Sequence, residues 1–360
     1  MALTYAVHTT HQTAYYTTAF VALLLLSPAL RSADVPTMGP VAATVRCADP
    51  AAEDQDDMCV WVHPTEPALS TIIASDKDAD KLFVYDLAGK VIQVVSARHP
   101  GNIDVRYGFP LGKEEVDIIA FNQRDDPEIL VYKVVAATRQ LERVDNHAIT
   151  TGENYGGTLY RSPKTGRFYF VTTSKSGSIE QYELSDDGAG KVRGRKVRSW
   201  TVGGQCEAAV ADDETGTIYI GEEDKGVWEV GAEPEDATPG RLVIAIGENG
   251  LADDVEGLAI YYLPEGKGFL LVSNQSRDNY KVYRREGAHA FAGTFAVAGA
   301  ESTDGLDVTN ANLGPRFPHG LFACHSARDN PCPVLLTPWP SIAKVFRPEL
   351  EISTTRNLRK

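Results

Sequence analysis

The chain has 360 residues, with 49 acidic against 35 basic side chains and a formal net charge of −14. Hydrophobic residues make up 43%, enough to bury a core, which excludes a disordered tail. The acidic balance excludes a nucleic-acid binder, which needs a basic face to displace counterions, and suits calcium or a cationic partner better.

In chain order, the first feature is an apolar run from Ala19 to Leu26, followed by Ser27, Pro28 and Ala29 and then Arg31-Ser32-Ala33. It is shorter than the about 20 apolar residues a membrane span needs. It fits the core of a secretory leader cleaved near Ala33, although Met1 to Thr18 contains no Lys or Arg. The mature protein is therefore expected outside the cell or in a periplasm, with no membrane span.

Short segments of alternating polarity come next, each centred on an aromatic residue: 83–87, 129–133, 179–183, 226–230 and 280–284. Their centres, Tyr85, Tyr132, Tyr182, Trp228 and Tyr283, step by 47, 50, 46 and 55 residues. A period of about 50 residues is the length of one four-stranded propeller blade. Each is preceded by another strand-like run, at 71–74, 116–120, 167–171, 217–220 and 268–272. A sixth copy falls near 320–323 and 334–336. The prediction is an all-β, six-bladed β-propeller in a single domain. Residues 1–33 are the leader, 34–45 an N-terminal extension, 46–350 the propeller and 351–360 a tail. An ordinary β-sandwich with accidental spacing is the competing reading. A closed propeller has no free sheet edge to pair, so a monomer is expected.

The acids gather in loops at strand ends: Asp54, Asp56, Asp57; Asp212, Asp213, Glu214; Glu222, Glu223, Asp224; Asp253, Asp254, Glu256; and Asp304, Asp307. Any one such group reads as a solvated turn, but their recurrence predicts at least one calcium site, because calcium takes six to eight oxygen ligands. Lys77, Arg124 and Lys175 each stand just past an apolar strand, one per blade. Together they would converge on an anion such as phosphate. No zinc-type CxxC, HExxH, GxSxG or Walker pattern is present. Cys47 with Cys59 and Cys324 with Cys332 are close enough to close small loops in an oxidising compartment, leaving Cys206; five unpaired thiols are the equal alternative.

Several stretches carry a more specific signal. They are Asp56-Asp57 with Val60-Trp61, Asn102 to Phe109, Ile179 to Leu184, Glu207 with Ala211 to Glu214, Ile218 to Asp224, Asp254 to Tyr262, Thr303 to Val308, and Gly314-Pro315 with His319 to Phe322. In that order and spacing the chain resembles the β-propeller phytases, calcium-dependent alkaline phytases of the 3-phytase type, across residues 50–345. The resemblance implies a six-bladed propeller that hydrolyses phytate, taken as its calcium complex, to lower inositol phosphates and inorganic phosphate. The attacking water would be activated by calcium. Position by position, Lys77, Arg124, Tyr155 and Lys175 match residues that hold the phosphate to be cleaved. Glu207, Glu223, Asp254, Glu256 and Asp304 match acids that hold calcium or orient water. Asp56 and Asp57 match acids near a further calcium, and Asp104 a signature position without an assigned role.

The chain departs from that family at Met58-Cys59, where Pro-Ala is usual, at Asp78 in place of a second Lys, and at Ser176 in place of an acid. It also reads Cys324-His325-Ser326-Ala327 where an acid followed by Gly is usual, which removes one calcium ligand unless Asp329 or Asn330 replaces it. These changes keep two alternatives open: a calcium-stabilised propeller that binds without turnover, and a propeller hydrolase of another ester.

Overall fold

The computed structural model describes residues 1–2, 37–147, 149–354 and 358. The apolar run Ala19–Leu26 and the expected cleavage point lie outside the described residues. Among the described residues, no helix is long and apolar enough to cross a membrane.

The aromatic segments form strands because their alternating side chains fit a pleated surface with one face covered. Each pairs with the apolar run before it, and six sheets result. The first holds Gln55–Trp61, Thr71–Asp76, Lys81–Asp86 and Val91–Ser96. The second holds Pro100–Leu111, Glu114–Gln123, Glu128–Val135 and Gln140–Arg143. The third runs from Gly157–Arg161 through Phe168–Thr172 and Ser178–Asp186 to Val192–Thr201, and the fourth from Cys206–Asp212 through Thr217–Glu222 and Gly226–Gly231 to Arg241–Ala245. The fifth contains Leu258–Tyr262, Gly268–Asn274, Asn279–Arg284 and Phe291–Ala298. The sixth has Leu306–Thr309, Leu321–His325 and Val334–Pro338. Every recurring pair read from the sequence is the second and third strand of a blade.

The first strands of the six sheets pack against one another in a closed ring around a central channel. Closure comes from residues 37–47, which have no repeat signal of their own. Val45–Cys47 pairs antiparallel with Val334–Pro338 as the outer strand of the sixth blade. Thr37–Ala42 lies parallel to Phe291–Ala298 on the edge of the fifth. The turn at Gly89 lets the first blade meet this closing strand, since a Cβ there would sit 2.6 Å from the Arg46 carbonyl oxygen. The backbone at Gly89 also has φ +81°, which a side chain would strain.

The core lies between blades. Phe109, Ile118 and Ile129 of the second pack on Leu159, Phe170 and Leu184 of the third. Tyr280 and Phe295 of the fifth meet Phe322 of the sixth, with ring centroids 4.8 and 5.3 Å apart. Each such buried ring contributes about 1.5–3 kcal/mol. The Cys47, Cys59, Cys206 and Cys324 thiols are buried and all five cysteines are unpaired, so the disulfide alternative is not realised.

The blade pattern also places the polar loops. The first and second strands of a blade run antiparallel, so the start of one lies beside the end of the other. Gln55 faces Asp76, Pro100 faces Gln123 and Cys206 faces Glu222. Residues just past those second strands, and just ahead of the first strands, therefore share one mouth of the channel.

Candidate active site

Lys77, Arg124 and Lys175 follow the second strands of the first three blades and reach this mouth together. Lys77 Nζ lies 2.8 Å from Asp56, 3.1 Å from Asp304 and 3.2 Å from Asp54. Arg124 donates to Asp56 Oδ2 at 2.8 Å and, by a closer contact, to Glu207 Oε1. Its Nε donates to the Tyr155 carbonyl at 2.8 Å. The Arg124 guanidinium and the Lys175 ammonium each stand 4.5 Å from the centre of the Tyr155 ring, so that ring positions both cations. Gly156 permits this arrangement: a Cβ there would come within 2.2 Å of the Glu207 carbonyl oxygen.

Beside these cations, carboxylate oxygens of Glu207, Glu223 and Glu256 lie within 4.8 Å of one another. Gln205 Nε2 donates to Glu223 at 2.8 Å. Asp254 is joined to Glu223 through its backbone, its N–H donating to the Glu223 carbonyl at 2.9 Å. The Asp254 carboxylate accepts from the Ser276 hydroxyl at 2.9 Å. Asp304 accepts from Gln275 and pairs with Lys77. Asp57 stands one step deeper, where it faces the channel and accepts the Ile103 N–H at 3.0 Å. Thus the structure gathers Asp56, Glu207, Glu223, Glu256, Asp304 and their cationic partners at one mouth, with Asp254 beside Glu223 and Asp57 below.

The electrostatics follow from crowding. Burial disfavours the charged form of Lys77 and of Arg124, yet their carboxylate partners outweigh it and hold both pKa values above the ordinary range. Burial, with Asp56 and Asp304 opposing Arg124, pushes Glu207 up to about 7. Burial beside Glu207 and Glu223 pushes Glu256 up to about 11. Asp56 goes the other way: burial opposes ionisation, but Arg124 and Lys77 keep it below the usual carboxylate range. Three hard oxygen donors that cannot all ionise together fit a divalent cation such as calcium, whose charge would relieve the repulsion.

Some sequence expectations settle differently. Asp212 and Glu214 do not join this mouth. Arg285 grips Asp212 through two nitrogens at 2.6 Å each and Glu214 at 2.8 Å, with the Arg285–Asp212 pair fully buried between the fourth and fifth blades. Asp213 pairs with Arg106 at 2.7 Å, and Asp104 accepts from Thr158 and the Leu159 N–H, tying the second and third blades. Ser326 is buried, bonded to Gly299 and Glu301. Asp329 pairs with Arg46 at 2.6 Å instead of facing the acids at the mouth. Asp78 is exposed. Sequence reasoning missed Gln205 and Gln275, which had no local signal, and the partnership of His325 with Asp54 at 3.2 Å.

Comparison with known proteins agrees with this geometry. A family model described as Phytase matches residues 13–351. A curated 3-phytase of Bacillus subtilis (strain 168) is 39% identical over 296 residues, covering 78% of this chain and 77% of that protein.

Proposed function

The chain belongs to the phytase family, hydrolases of phosphoric monoesters that act on phytate, and from that premise we propose that its mouth works with calcium. The observation that carries this reading is the convergence of three cations from three blades beside three carboxylates too close to ionise together.

The division of labour follows from the contacts. Lys77, Arg124 and Lys175 bind the oxygens of the phosphate to be cleaved and stabilise the charge that builds there in the transition state. Tyr155 keeps Arg124 and Lys175 aimed at the same phosphate. Glu207, held against Arg124 beside the phosphate grip, takes the proton of the water that attacks phosphorus as the ester P–O bond to the inositol breaks, and the leaving inositol oxygen takes up a proton from water. Calcium held by Glu207, Glu223, Asp254, Glu256 and Asp304, with Asp56 and Asp57 toward the channel, would neutralise substrate charge and lower the pKa of water. Phytate is then taken as its calcium complex. The exposed Asp78 repels a neighbouring phosphate, which favours one firmly held phosphate over two.

Removing calcium with a chelator abolishes phosphate release from phytate, and restoring calcium recovers it. Release that continues unchanged in excess chelator overturns the calcium reading but not the family. The same reading makes the mature protein an exported monomer. N-terminal sequencing of the secreted chain, expected to begin near Asp34, and its mass in solution test that part.

A further inference from the structure

The departure at 324–327 builds something of its own. The His325 ring is buried, with Nε2 3.2 Å from Asp54 Oδ1. Its Nδ1 accepts the Asp304 backbone N–H at 3.1 Å and lies 3.6 Å from the Asp304 carboxylate. The Cys332 thiol completes the group: one ligand atom each from Asp54, His325 and Cys332 lies within 4.8 Å of the others. All three backbones are pinned. The Asp76 carboxylate accepts the Glu53 and Asp54 N–H groups at 2.8 and 3.0 Å. The Cys332 N–H donates to the Glu53 carbonyl at 3.2 Å, and its own carbonyl accepts from Gln55 at 2.7 Å.

We propose that Asp54, His325 and Cys332 form a binding site for a divalent transition-metal ion of the zinc type, separate from the carboxylate cluster of Glu207, Glu223 and Glu256. A thiolate and an imidazole are poor ligands for calcium and good ones for zinc-type ions. Zinc–nitrogen and zinc–sulfur bonds of about 2.0 and 2.3 Å place tetrahedral ligand atoms roughly 3.5 Å apart, a spacing the His325–Asp54 pair already meets at 3.2 Å, so only the Cys332 thiol needs to move in. On binding, the ion takes Nε2 and that nitrogen's proton shifts to Nδ1, the thiol proton is released to water, and a water fills the fourth position. Nδ1, then protonated, turns from accepting the Asp304 N–H to facing the Asp304 carboxylate 3.6 Å away, the usual kind of outer partner of a metal-bound histidine. Because Asp54 also touches Lys77, occupancy of this site reaches the phosphate grip through one shared carboxylate.

The test uses the full chain, kept reduced and saturated with calcium so that oxygen-only sites are filled, titrated with cobalt(II). The expected result is one equivalent showing a thiolate-to-cobalt charge-transfer band, displaced by zinc. Cys332 is only half-buried, so Cys332→Ser should fold, lose the band and bind at least tenfold more weakly. His325→Gln should weaken binding similarly, with circular dichroism reporting its fold. No charge-transfer band, a band that persists in Cys332→Ser, or displacement by excess calcium would each overturn the proposal.

Discussion

Glu256→Gln offers a quantitative test of the electrostatics. Glu256 is buried beside Glu207 and Glu223, and in the metal-free protein burial and those neighbours raise its pKa from 4.5 to about 11. A carboxyl whose folded pKa is raised costs stability as pH climbs above its unfolded value, because the unfolded chain releases the proton while the folded chain must keep it. At pH 7.5 the gap above 4.5 is 3 units, which at 1.36 kcal/mol per unit gives an upper bound of about 4 kcal/mol. Partial solvation lowers the expected gain on replacing the carboxyl by an amide to roughly 2–3 kcal/mol. An unfolding entropy of about 2.1 cal/mol/K per residue over roughly 300 folded residues converts this to a rise of about 3–5 °C in Tm. Thermal denaturation in chelator at pH 7.5 should show that rise, shrinking toward zero at pH 5. Added calcium should then stabilise wild type more than the variant. A chelated variant that melts below wild type, as a simple buried deletion would, refutes the argument, as does an undiminished calcium increment.

Two further changes probe the scaffold. Arg285→Met strands the buried Asp212 carboxylate and should cost about 3–5 kcal/mol in urea unfolding. The double change Arg285→Met with Asp212→Leu should recover much of that, and a single variant as stable as wild type would sink the role given to this pair. Gly156→Ala forces the Glu207 carbonyl away from its 2.2 Å approach and should lower phytate turnover more than tenfold while the blades persist. Unchanged turnover would mean the Tyr155–Glu207 juncture is not constrained as described.

The blades were legible because alternation and an aromatic every 46 to 55 residues are local signals that repeat. The closure by Val45–Cys47 was not, since a three-residue strand has no period and its partner lies at the far end of the chain. Lys77, Arg124 and Lys175 could be found from the residues because each follows an apolar strand at the same blade position. Tyr155 rested on the resemblance alone; its function depends on where its ring sits between two cations, which no spacing encodes. The acid at Asp212 looks in sequence like those at Glu223 and Asp254, and only the topology reveals that it ends an inner strand at the other side and meets Arg285. His325 shows no metal pattern because its partner Asp54 is 271 residues away.

In the proposed function, the cations at the mouth grip the phosphate that is cleaved. Arg124→Ala tests that grip most directly, measured as inorganic phosphate released from phytate at saturating calcium, with circular dichroism to verify the fold. Loss of an Arg that stabilises phosphoryl charge should lower kcat by about a thousandfold. A folded variant that retains turnover within a few-fold of wild type would contradict the account and place the reacting phosphate elsewhere.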